Sequence, residues 1–257
     1  MSSITGPPTR REKNRIATQA DIKATARDLL IETGPTGVSL REIARRLNMS
    51  APAIYRYYDG LESLLSALCV DLYTELRETL LNDMDAHPPE DLLDRVLTAA
   101  RSFRRWAVTH QAEFIFMFAS RAPGAVITHQ GDTAAVLDPD TEPYRSMLAF
   151  SNVFGNVFNR IYHQSDQERG YPLHTPRIPR LSPGLRDEIH RCSEAIGIRD
   201  MPIEFAYTFH SFWIRLYGLV SMEVFGQLPV IRHAGDLLEA ELQDMADHFG
   251  VDLSARS

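Results

Sequence analysis

Two groups of residues in this chain have the types and spacing to handle a polyanion. Arg10, Arg11, Lys13 and Arg15 put four cations within six residues, and Ser50-Ala51-Pro52-Ala53-Ile54-Tyr55-Arg56-Tyr57-Tyr58 follows some forty residues later. Guanidinium and ammonium groups neutralise phosphates, and Ser and Tyr hydroxyls donate to phosphate oxygens. Arg56 can also reach a guanine edge, and the methyls of Ala51 and Ala53 can touch thymine methyls. Small side chains at Ala51 and Ala53 let backbone approach a duplex closely. Ser39, Arg41 and Pro52 complete the set of candidate DNA-contacting residues.

Two short helical patterns must position these groups. Ser39 with Glu42 three residues on reads as a capping box, and Leu40, Ile43, Ala44 and Leu47 then form one apolar stripe. Asn48 tolerates a left-handed backbone and can turn the chain. Ser50 is placed to cap a second helix, with Pro52 in its first turn, where no helical N–H bond is lost. Only Ala53, Ile54 and Tyr58 suit inward packing, which leaves Ala51, Tyr55, Arg56 and Tyr57 on other faces. A helix–turn–helix lays such a second helix in the major groove. The plainer alternative is a helical hairpin with two surface tyrosines and an arginine. Ahead of the pair, a supporting helix is expected from about 17 to 33, stopped by Gly34-Pro35-Thr36-Gly37. Residues 1–15 read as a flexible basic arm able to follow phosphates or enter a minor groove.

Charge separates the chain in the same place. Residues 1–58 hold ten Lys/Arg and five Asp/Glu, a balance of +5; the remainder holds 17 and 29, a balance of −12. The total of −7 argues against nucleic acid only if charge is averaged, and phosphate attraction acts locally, within a Debye length of about 8 Å.

Leu40-Arg41-Glu42-Ile43-Ala44, then Met49 to Tyr58, then Leu64-Leu65, closely resembles the TetR family of bacterial transcriptional regulators. The resemblance covers roughly the first quarter of the chain. It implies a three-helix DNA-binding domain, an α-helical effector-binding domain and a homodimer. Asn48 stands where the family turn usually has Gly, Tyr57 where His is commoner, and Asp59-Gly60-Leu61-Glu62 lacks the usual phosphate-contacting Lys. Phe103-Arg104-Arg105-Trp106-Ala107 and Trp213-Ile214-Arg215-Leu216-Tyr217-Gly218 resemble the effector domain of the Trp-His-Gly subgroup, with Tyr217 in the His position. That resemblance implies a four-helix dimer interface built from the last two long helices, about 202–226 and 235–249.

The rest of the chain reads as helices. Leu61, Leu64, Leu65, Leu68, Leu72, Leu76 and Leu80 recur over about five turns, ended by His87-Pro88-Pro89. Helical patterns follow at 91–110, 113–120, 141–164, 185–196, 202–226 and from Leu237 to Phe249. Residues 121–140 and the proline-rich 165–184 read as loops. The fold class expected is all-α, with a helix–turn–helix domain over 16–60 and an effector and dimerisation bundle over 61–257.

Trp106, Phe114, Phe118, Phe154, Phe158, Tyr162, Phe209, Trp213 and Tyr217 are the candidate effector contacts. Each taken alone is better explained as ordinary core, but large side chains between helices can leave a pocket. No nucleotide-binding, metalloprotease or serine-hydrolase pattern occurs, and the nine histidines include no i, i+4 pair. No catalytic role, metal or cofactor is expected. Two cysteines make neither a disulfide framework nor a zinc cage. The polar, basic N-terminus and the absence of any apolar run near ~20 residues point to a cytoplasmic protein outside the membrane. The expected function is ligand-responsive DNA binding as a dimer on a palindromic operator, repressing until a small apolar or aromatic effector binds. An activator with the same domain, or a helical ligand carrier with a vestigial helix–turn–helix, stays open.

Overall fold

The periodic patterns become ten α-helices in the computed structural model, which describes residues 9–118, 125–126, 136–137, 140–164, 173–251 and 253. They are α1 (Arg10–Thr33), α2 (Leu40–Arg46), α3 (Ala51–Ile54), α4 (Leu61–Met84), α5 (Leu92–Thr109), α6 (Gln111–Phe118), α7 (Glu142–Gln164), α8 (Pro183–Ala195), α9 (Ile203–Val224) and α10 (Ala234–His248). The fold is all-α. Two short strands, β1 (Ala125–Val126) and β2 (Val136–Leu137), pair antiparallel inside the stretch expected to be loop, with Ala125 opposite Leu137. The rest of that stretch, 165–172 of the proline-rich segment, and residues 1–8 lie outside the described residues.

Helix α1 corrects the expectation of a flexible arm. Arg10, Arg11, Lys13 and Arg15 are helical, because Thr9 and Glu12 form a full capping box. Glu12 N donates to Thr9 Oγ1 at 3.3 Å, and Thr9 N donates to Glu12 at 2.6 Å. Arg, Lys and Glu are themselves good helix formers, so once the first turn is nucleated the helix runs unbroken to Thr33.

The turn between α2 and α3 behaves as its residues predict. Asn48 adopts φ 51°, and Met49 N→Ala44 O (2.8 Å) with Asn48 N→Arg45 O (3.3 Å) closes α2 as a Schellman motif. Two cap expectations need correction. Ser39 accepts from Glu42 N at 3.3 Å, but the Glu42 carboxylate turns to Arg45 and Arg46, so the box is half made. Ser50 occupies the N-cap of α3 without a capping hydrogen bond. Helix α3 itself is one turn long, and Tyr57 N and Tyr58 N both donate to Ile54 O to continue the coil past it.

The chain divides into two compact units, one of residues 1–73 and 112–146 and the other of 74–111 and 147–257, as far as these are described. In the first unit Ile22, Leu29, Leu30, Ile43, Ile54, Leu64 and Leu72 are fully or almost fully buried. Two ion pairs hold α1 there: Lys23 to Asp71, and Arg27 Nε to the buried Glu113 carboxylate at 3.0 Å. Tyr73 donates to Met117 O at 3.4 Å, and the Phe114 and Phe118 rings lie 4.8 Å apart.

In the second unit α5, α8 and α10 all pack on α9. Phe103, Phe150 and Trp213 bring α5, α7 and α9 together, with ring centroids 5.6 to 5.8 Å apart. Charged forks brace the outside. Arg104 grips Glu223 at 2.7 and 2.6 Å, Arg101 grips Glu239 at 2.8 and 2.6 Å, and Arg215 reaches Glu241 and Asp244. Among the described residues no helix is long and apolar enough to cross a membrane, and none of the His, Cys, Asp and Glu groups cluster to hold a metal.

Candidate functional site

The ten cations of residues 1–73 fall into two classes. Lys23, Arg27, Arg45 and Arg46 are held by carboxylates of the same unit. Arg10, Arg11, Lys13, Arg15, Arg41 and Arg56 have no ion pair among the described residues, and all six are exposed. Helical spacing explains part of this. Glu42 sits three and four residues before Arg45 and Arg46 and takes both, whereas Arg41 points away from it.

Helix α1 and the coil after α3 then meet around one open basic concavity of about 630 Å³. Its lining is Arg10, Arg11, Asn14, Arg15, Thr18, Arg56 and Tyr57. Sequence reasoning named five of these seven and missed Asn14 and Thr18. Their signal was the spacing 10, 14, 18 beside 11, 15, which becomes a helix face only if the Thr9–Glu12 box is read first. Lys13 is exposed outside this lining.

The other candidate DNA contacts flank it on α2 and α3. Ala51, Pro52, Tyr55 and Arg56 are exposed, Tyr55 at 59%, while Ile54 and Tyr58 are buried beneath them. Ala53 and Tyr57 are half-buried. Ser50 is exposed with its hydroxyl free of capping duty, and Arg41 is exposed in the first turn of α2. Ser39 is half-buried and accepts from Glu42 N. A short exposed ridge of small and polar residues beside a row of unpaired cations can bind a phosphate backbone and press base edges at once.

The second unit contains an apolar cavity of about 100 Å³. Helix α5 contributes Leu93, Val96, Leu97 and Ala100; α7 contributes Phe154, Phe158 and Ile161; α9 contributes Phe209, Phe212, Trp213 and Leu216. Leu242, Met245 and Ala246 of α10 close it, with Phe249, Leu173 and Val251. The rings brace one another: Phe158 lies 5.1 Å from Phe209 and 5.4 Å from Phe249, and Phe154 5.5 Å from Trp213. Among the described residues no charged side chain lines the space.

Of the nine residues expected to line a pocket, Phe154, Phe158, Phe209 and Trp213 do. The other five do not line this one. Trp106 stacks on His110 at 4.8 Å and donates Nε1 to Glu75 at 3.1 Å. Phe114 and Phe118 belong to the first unit. Tyr162 packs at a tilt on Phe205 at 4.8 Å, and Tyr217 stacks on Trp213 from outside the lining. Helical spacing marks a residue as inward-facing but does not say which neighbours share its space. The largest omission is α10 with its C-terminal residues, whose Leu242, Met245 and Phe249 read only as a terminal amphipathic stripe.

Two family models cover most of this architecture. Residues 22–68 match the bacterial regulatory proteins of the tetR family, and residues 96–245, more than half of the chain, match the tetracyclin repressor-like C-terminal domain. The HTH-type transcriptional regulator Rv1816 of Mycobacterium tuberculosis H37Rv is 36% identical over 115 residues, 45% of this chain and 49% of that protein. The chain thus spans about half the length of the curated relatives it matches. Two solved structures share the fold. The regulatory protein SCO4313 has a TM-score of 0.66 at 23% identity, over 93% of this chain and 100% of that one. A protein of unknown function from Rhodococcus sp. RHA1 has a TM-score of 0.59 at 14% identity, over 88% and 94%. With both family models matched in order, this chain belongs to the TetR family of bacterial transcriptional regulators rather than to any enzyme family.

Proposed function

We propose that the chain is a ligand-responsive repressor that binds a palindromic operator as a homodimer in the cytoplasm. The observation that carries the reading is the basic concavity where Arg10, Arg11, Arg15 and Arg56, none of them in an ion pair among the described residues, come together beside Tyr57. In this reading residues 10–60 form the DNA-binding head. Arg10, Arg11, Lys13, Arg15 and Arg41 take phosphates, together with the hydroxyls of Ser39, Ser50, Tyr55 and Tyr57. Ala51, Pro52, Ala53 and Arg56 face base edges.

Dimerisation through α9 and α10 is supported by an unpartnered apolar stripe. Ile214, Met222 and Phe225 are exposed along one side of α9, Ile214 at 68%. Gly218 lies among them with no protein atom within 4 Å of where a Cβ would stand, so a second helix can approach closely there. A two-fold pair of heads would make the operator palindromic.

The effector would occupy the apolar cavity of the second unit, residues 61–257 serving ligand binding and dimerisation. Its lining selects an uncharged alkyl or aryl group, since burying an unpaired charge there costs several kcal/mol. To release DNA, the ligand must bind the DNA-incompetent conformer more tightly, by a coupling of about 1 to 3 kcal/mol. Selection from a random duplex pool tests the whole reading. An enriched palindrome, lost when a cavity ligand is added, is the expected result; a pool with no enriched palindrome rejects it.

A further inference from the structure

We propose that the junction of residues 173–174 with 249–251 is the entrance to the apolar cavity, and that it parts to admit ligands larger than the cavity's present volume holds. The proposal rests on reading that cavity as a ligand site.

The lining divides by backbone type. Apart from Phe249, Leu173 and Val251, every lining residue sits on α5, α7, α9 or α10. Three of those helices are tied together on the outside by the Arg101, Arg104 and Arg215 forks. Leu173 and Val251 are carried instead by non-helical backbone, and Phe249 is the C-cap of α10.

The two segments meet at a slender seam. His174 N donates to Phe249 O at 2.9 Å, and the His174 ring lies directly over Gly250. A Cβ on Gly250 would stand 2.4 Å from His174 Nδ1, so any larger residue must push the exposed His174 ring aside. Gly250 also has φ +76°, and Val251 N→Ala246 O with Gly250 N→Asp247 O, both 2.9 Å, closes α10 as a Schellman motif. That cap is what swings Val251 back over the cavity. One glycine therefore serves both the helix end and the seam.

Size makes an opening necessary. At about 100 Å³ the space is smaller than the ~150 Å³ cavity that accepts benzene, and well below the ~300 Å³ lower end of small-molecule pockets. Among the described residues one backbone hydrogen bond crosses the seam, and water can take up its donor and acceptor once it parts. Parting α5, α9 and α10 would break the Arg101, Arg104 and Arg215 ion pairs, and moving α7 would separate the tilted Phe154–Trp213 and Phe158–Phe209 ring pairs. The seam is the easier route.

Stopped-flow binding of 1-aminoanthracene, a neutral three-ring fluorophore, to the full chain tests this. His174→Pro removes the seam donor, Gly250→Ala drives a methyl into the His174 ring, and Leu173→Ala widens the seam without altering its backbone. Each is expected to raise the association rate constant at least fivefold. Ala246→Phe, which fills the cavity, locates the probe and should weaken its binding at least tenfold. If Ala246→Phe abolishes binding but His174→Pro and Leu173→Ala both leave the association rate unchanged, the seam is not the entrance, although the site stands. If the probe does not bind saturably, or binds Ala246→Phe as well as the wild type, the cavity is not a ligand site and the proposal falls with that reading.

Discussion

Arg46 of α2 donates both arms of its guanidinium to Glu32 near the end of α1, at 2.9 and 2.6 Å, and its Nε to Glu42 at 3.2 Å. This fork removes one cation from the outer face of the head and uses it to join two helices. Arg41, five residues earlier, makes no such pair and stays exposed. Two arginines on a seven-residue helix thus have opposite duties.

That division predicts different phenotypes. Arg46→Ala should lower the melting temperature and leave the salt dependence of DNA binding nearly unchanged. Arg41→Ala, and likewise Arg10→Ala, Arg11→Ala or Arg15→Ala, should leave the melting temperature alone and reduce the slope of log K against log[salt] by about 1. Thermal melts and salt titrations of operator binding check both halves.

Arg56 and Tyr55 separate base reading from backbone anchoring. Tyr55→Phe should weaken binding evenly across sequences, because a phosphate oxygen carries no sequence information. Arg56→Ala should relax selectivity at one position per half-site by about 1 to 3 kcal/mol. If Arg56→Ala instead weakens all sequences alike, Arg56 is a phosphate contact of the basic concavity.

The exposed stripe on α9 predicts a dimer sensitive to charge. Ile214→Glu with Phe225→Glu should give a folded monomer in analytical ultracentrifugation, with unchanged helical circular dichroism, since both side chains face outward in the single chain. A dimer persisting at micromolar concentration would place the interface elsewhere.

Acid should loosen the head first through Glu42. Hydrogen bonds from Arg45 and Arg46 hold its carboxyl down to about 2, against an ordinary 4.5, and Arg46 likewise lowers Glu32. A carboxyl whose folded pKa is depressed contributes its full stabilisation above about 4.5, and loses it as pH falls toward about 2. Glu42→Gln should therefore lower the melting temperature at pH 7 and flatten its decline between pH 4.5 and 2. Glu32 is exposed and Glu42 only half-buried, so added salt should shrink the effect.

The cysteines should titrate unequally. Burial pushes the Cys69 thiol up to about 12, whereas Cys192 is exposed and raised less far, by partial burial and the nearby Glu188. A disulfide reagent at pH 8 should modify one thiol per chain in the native protein and the second only on unfolding.

Much of this molecule follows from local rules that act within a few residues. The Ser39–Leu47 stripe, the left-handed Asn48, the Pro52 turn and the apolar periods of α4, α5, α7 and α9 specify all-α architecture and the helix–turn–helix without reference to anything distant. The same is true of the basic head on an acidic body, since charge is a sum over the chain. Even the start of α1 was locally encoded, in Thr9 and Glu12.

Only the tertiary structure decided which residues became neighbours. Arg46 reaches Glu32 across fourteen residues, and Arg27 reaches Glu113 across 86. Those pairings determine which cations are left without an ion pair among the described residues. Phe114 and Phe154 look alike as inward aromatics, yet one packs in the first unit and the other lines the cavity with Phe249, nearly a hundred residues further on. Helical periodicity encodes which way a side chain faces. The partner it meets depends on how separate helices pack, and that is settled by the joint burial of all of them.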